Sequence, residues 1–114
     1  MPPQEQEKGA RGSVATLVAK NVAYYCQLDE DLFFEWLARV GAVIHLHGHG
    51  RELEITLDVG RLDDKGLREL IGLFARYDLD MRQLAVLRDD AKRPWFSQRK
   101  TAFWHERVFG ALDS

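Results

Sequence analysis

Apolar residues change their spacing several times along the chain, and each change predicts a new element. Val22, Tyr24, Cys26 and Leu28 alternate with Asn21, Ala23, Tyr25 and Gln27, a period of two that predicts a strand over 21–28. Residues 14–19 (Val-Ala-Thr-Leu-Val-Ala) fit a helical turn, an early strand or a linker. After Asp29 the period lengthens. Leu32, Phe33, Trp36, Leu37 and Val40 fall on one helical stripe. Asp29 offers a capping oxygen, Glu30 and Asp31 suit the positive end of the helix dipole, and Gly41 stops the run. A helix over 30–40 follows.

Residues 42–58 read as a hairpin. Ala42, Ile44 and Leu46 alternate with Val43, His45 and His47, and Leu53, Ile55 and Leu57 alternate with Glu52, Glu54, Thr56 and Asp58. Gly48-His49-Gly50 lies between them as the turn. If Ile44, Leu46, Leu53, Ile55 and Leu57 face the core, the histidines and acids share the opposite face. Leu62-Asp63-Asp64 then leads into a second helix with Leu67, Leu70, Ile71 and Phe74 inward. Asp78 to Asp80 break it, residues 82–87 (Arg-Gln-Leu-Ala-Val-Leu) read as a fourth strand, and Pro94 opens a final aromatic helix.

The order strand, helix, strand, strand, helix, strand predicts an α+β fold: a ferredoxin-like βαββαβ two-layer sandwich, with both helices on one face and an extra C-terminal helix. One domain over 14–114 is expected, preceded by a flexible polar tail over 1–13. The 114-residue length has room for one small core. A net charge of -2 gives no global pull toward nucleic acid or anionic lipid. No apolar run reaches the roughly 20 residues of a membrane span. Cys26 is the single cysteine, so no intrachain disulfide forms and a cytoplasmic setting is expected.

Candidate chemistry is sparse. His45, His47 and His49 alternate, so on a strand their rings share a face. His45 and His47 with Glu54 make a candidate zinc site, though one short of a closed ligand set. The other reading is a solvated ladder of histidines opposite acids. Cys26 is expected in the core as an inert thiol, and no triad or phosphate loop is present, so a non-catalytic protein is expected, with no cofactor. RNA-binding domains of this strand order stack bases on open-face aromatics. Here Tyr25 is the candidate, but Glu52, Glu54 and Asp58 would line the same face and repel phosphate.

Residues 57–67, Leu-Asp-Val-Gly-Arg-Leu-Asp-Asp-Lys-Gly-Leu, resemble the stretch of STAS domains where a strand ending in Asp leads to Asp-Ser-Ser-Gly-Leu at a helix start. The likeness covers about residues 53–87 and implies a STAS-like mixed sheet as the alternative fold. Asp64 or Lys65 stands where that family places its phosphorylatable serine.

Trp95, Phe96, Phe103, Trp104 and Phe109 crowd the C-terminal segment. Such a surplus ends either in the core or in an interface. The function expected is a small protein-interaction or regulatory module, self-associating as a homodimer through these rings. A metal- or small-ligand-binding domain and an RNA-binding domain are the alternatives.

Overall fold

Asn21 breaks the expected first strand. It takes a left-handed φ of 53°, which ends the extended run that precedes it. The computed structural model describes residues 14–113, and its first strand, β1, is Val14–Lys20; the tail expected over 1–13 lies outside the described residues. Val22 and Tyr24 still pack against the core, so their alternation reflected real burial. Asn21 to Cys26 nonetheless form a connection, and helix α1 spans Gln27–Arg39. Asp29 is therefore the third helical residue and not the cap. Its carboxylate reaches back to accept the Tyr25 N–H at 3.0 Å. Cys26 and Leu28, expected inside, are exposed.

The hairpin is β2 (Val43–His49) and β3 (Glu52–Asp58). Its turn is Gly50-Arg51, one step later than expected, with φ of 61° at Gly50, the positive φ that two-residue hairpin turns ask of their first position. Leu46 stands opposite Ile55 and Val43 opposite Leu57, but His45 stands opposite Thr56, so Ile44 is an extra residue in a bulge. That bulge turns Ile44 outward, 47% exposed, which corrects its expected place in the core. Leu46 and Leu53 are half-buried, and Ile55 and Leu57 are fully buried.

β3 lies between β1 and β2 and runs antiparallel to both. β1 and β2 are thus parallel, with α1 connecting them. Ala15, Leu17 and Ala19 join Leu53, Ile55 and Leu57 on the inner face of this three-stranded sheet. The described strands are antiparallel neighbours throughout, unlike the mixed sheet of the STAS-like alternative. The fold is α+β in two layers, with helices over one side of the sheet.

Helix α2 (Asp64–Arg76) is capped by Asp63, whose Oδ1 accepts the Gly66 N–H at 2.7 Å. A Cβ at position 66 would sit 3.0 Å from that same oxygen, so glycine lets the cap close. α2 runs antiparallel to α1. Trp36 Nε1 donates to Glu69 O at 3.1 Å, and Tyr77 Oη donates to Asp29 Oδ1 at 2.9 Å. Between these two ties, Phe33 meets Tyr77 edge-on with ring centres 4.9 Å apart. Burial and the Asp29 hydrogen bond raise the Tyr77 phenol above its ordinary value. Asp78, with φ of 57°, turns the chain out of α2.

Residues 82–87 do not form a fourth strand. Met81–Leu87 is a 3₁₀ segment, capped by Asp80 and burying Met81, Leu84 and Leu87. Spacings of three are what such a turn aligns on one side. The segment lies along β1, where the Gln83 side chain bonds the backbone of Val18.

The expected single aromatic helix is two: α3 (Pro94–Gln98) and α4 (His105–Asp113), joined by turns. His105 bridges them. Its Nε2 donates to the Ser97 carbonyl at 2.8 Å, supplying a partner that the end of α3 lacks. Phe96, Trp104, Val108 and Phe109 are buried together, with Phe96 and Phe109 ring centres 5.0 Å apart. Trp95 is half-buried under the Arg68 guanidinium, 4.1 Å from its ring centre.

Candidate functional site

Two surfaces collect the residues with chemical potential. The first is the outer face of the sheet. β2 sets His45, His47 and His49 on one side, opposite Thr56, Glu54 and Glu52 of β3. The His45 and His47 rings stack at 6.4 Å with 11° between planes, and His47 and His49 are 5.5 Å apart. Glu54, the third member of the candidate zinc set, points to His49 instead, with Oε2 3.3 Å from Nε2. Glu52 and Lys20 approach to 3.9 Å, so the face is a ladder of neighbouring polar and charged side chains across three strands. Among the described residues no group of three or more His, Cys, Asp or Glu side chains is arranged to hold a metal ion.

The strands contribute no Phe, Tyr or Trp to this face. Tyr25, the aromatic expected there, stands ahead of α1 with 92% of its surface exposed. Arg93, a cation by sequence, is buried, and its Nε donates to Leu87 O at 3.1 Å.

The second surface runs along the outside of α1. Phe33 and Leu37 face the core, whereas Leu28 (63% exposed) and Leu32 (48%) lie one turn apart facing out. With Tyr25, Cys26, Arg76 and Tyr77 they line a groove of about 570 Å³. A second hollow of about 380 Å³ continues past Leu32 to Trp36 and Arg39. Asp29 sits in both. Its bonds from the Tyr25 N–H and the Tyr77 hydroxyl hold its carboxyl below the ordinary carboxylate value. The groove therefore has an ionised floor with its hydrogen bonds already made and an apolar wall.

The linear pattern hides this surface, because it places Leu32 on the inward stripe and Leu28 on a strand. The sign was available: Leu28, Leu32, Phe33, Phe34, Trp36 and Leu37 are too many apolar residues for one face of a four-turn helix. Of the rings expected to form an interface, Phe96, Trp104 and Phe109 lie inside the fold and Trp95 is half-buried, leaving Phe103 exposed at 66%.

No family model, curated protein or solved structure matches the chain. No helix among the described residues is long and apolar enough to cross a membrane.

Proposed function

We propose that the chain is a small, non-catalytic interaction module that self-associates through the outer face of α1. The observation that supports this reading is the row Tyr25, Leu28 and Leu32, exposed side by side against an open groove. Apolar side chains grouped in this way, with a charged rim from Glu35, Arg39 and Arg76, suit a protein partner with an apolar centre. A two-fold pairing of this face would be self-complementary, because the rim carries both signs of charge. The reading includes a cytoplasmic setting, in which the exposed Cys26 thiol stays reduced.

The fold reading that goes with it is ferredoxin-like. The strand order β1-β3-β2 with antiparallel neighbours supports it; in this reading the 3₁₀ segment carrying Gln83 takes the place of a fourth strand beside β1.

Sedimentation across a concentration series tests the function. The wild-type chain is expected to dimerise and the Leu28→Glu/Leu32→Glu variant to remain monomeric with an unchanged far-UV spectrum. Wild-type protein that stays monomeric at every accessible concentration would remove self-association from the reading.

A further inference from the structure

The two edges of the sheet differ, and hydrogen bonds on β3 show how. Arg51 O accepts the Asn21 N–H at 2.9 Å on the β1 side, and Asp58 N–H donates to Ala42 O at 2.8 Å on the β2 side. Successive residues of a strand turn their peptide groups to opposite neighbours. Even-numbered residues of β3 therefore serve β2. Through the register, His45, His47 and His49 turn their peptide groups inward to Thr56, Glu54 and Glu52. Leu46 and Gly48 turn theirs to the free edge. The same alternation faces Val18 outward on the far edge, where Gln83 takes both of its groups. Among the described residues, β2 pairs with β3 alone.

An open row of peptide groups is completed by another strand, and the histidines select which one. Antiparallel pairing of β2 with itself, about a two-fold axis at Leu46, lets the two Leu46 residues exchange both hydrogen bonds. His45 of each copy then falls opposite His47 of the other. These are non-hydrogen-bonded positions, with Cα atoms about 4.5 Å apart. All four rings emerge on one face. One chain presents two stacked imidazoles, half of a tetrahedral set; two chains supply all of it.

We propose that β2 is a metal-dependent dimer edge, at which His45 and His47 of two copies bind one transition-metal ion of the zinc class. Imidazole ligands suit zinc, copper and nickel. Glu52 and Glu54 of each copy lie beside the histidines on the same face and offset the charge of a dication; Lys20 is turned to Glu52. The metal is needed because the strand pairing is short. The Ile44 bulge interrupts it on one side and the Gly50 turn ends it on the other, so few backbone hydrogen bonds hold the two edges together.

The test adds zinc chloride to the Leu28→Glu/Leu32→Glu variant, in which the α1 face is blocked, so that it reports on β2 alone. Sedimentation should show a twofold rise in mass, and calorimetric titration one zinc ion per two chains. Adding His45→Ala and His47→Ala should abolish both, whereas His49→Ala should leave them in place; circular dichroism checks the fold of each variant, and all three side chains are exposed. One zinc per monomer would overturn the proposal in favour of a site within one chain that includes Glu54. A zinc dimer indifferent to both histidines, or no binding at micromolar zinc, would overturn it outright.

Discussion

Gln83 closes the edge of β1 with a side chain: its Oε1 accepts the Val18 N–H at 2.6 Å and its Nε2 donates to the Val18 carbonyl at 2.8 Å. The same amide nitrogen reaches Asp80 O at 3.1 Å. One carboxamide thus supplies the donor and the acceptor that a neighbouring strand would have offered.

Replacing Gln83 with leucine should strand both Val18 groups in a half-buried setting. The expected loss is about 1–3 kcal/mol in denaturant unfolding, with faster hydrogen exchange at the Val18 amide. Gln83→Glu keeps the acceptor and loses the donor, and should fall between the two. Equal stability of all three proteins would show that the contact does not hold the edge.

The bulge at Ile44 separates residues that the sequence pattern treats alike. Ile55→Ala should cost about 2–5 kcal/mol, because Ile55 is fully buried. Ile44→Ala should fall within about 0.5 kcal/mol of wild type, as exposed positions do. A large loss at Ile44 would place it in the core and put the register in error.

The C-terminal rings divide in the same way. Phe96→Ala should destabilise by about 3–5 kcal/mol, because that ring is fully enclosed by Trp95, Trp104 and Phe109. Trp104→Ala should also lower stability, whereas Phe103→Ala should leave the melting temperature close to wild type. Thermal unfolding of the three variants side by side decides the matter.

Asp90 makes stability depend on acid. The Arg88 guanidinium and the Ser97 hydroxyl bond its carboxylate and lower its pKa from 3.8 to about 2. A depressed carboxylate contributes stability that is complete above its unfolded value and is lost as the pH falls through the folded one. Asp90→Asn should therefore melt below wild type at pH 7. The gap should narrow between about pH 4 and 2 and vanish in stronger acid. A gap independent of pH would assign the effect to something other than the charge.

Helix α2 and the hairpin were legible because each repeats a local rule: Leu62-Asp63-Asp64 leading into a helical stripe, and opposed alternation around a glycine turn. The histidine and carboxylate face was legible for the same reason. What escaped was set by tertiary contact. Alternation at Val22 and Tyr24 signals burial, and only the left-handed Asn21 shows that the chain there is no strand. Leu84 and Leu87 fit a strand in a linear reading, yet with Met81 they keep a spacing of three. Splitting of the aromatic helix leaves no glycine or proline mark between Arg99 and Trp104. The His105 bond to Ser97, which joins the two pieces, spans eight residues and has no local signature.

A sheet whose β1 margin is obstructed by a carboxamide at Val18 grows more readily from its β2 margin. A molecule with two open margins is divalent and propagates into filaments, whereas one with a single open margin stops at the first addition. Gln83 obstructs the β1 margin at Val18 by taking both of its peptide groups. On that account Gln83 is a terminator as well as a stabiliser, and its removal creates a second growing end, with ordered fibres as the outcome to watch for in Gln83 variants held at high concentration.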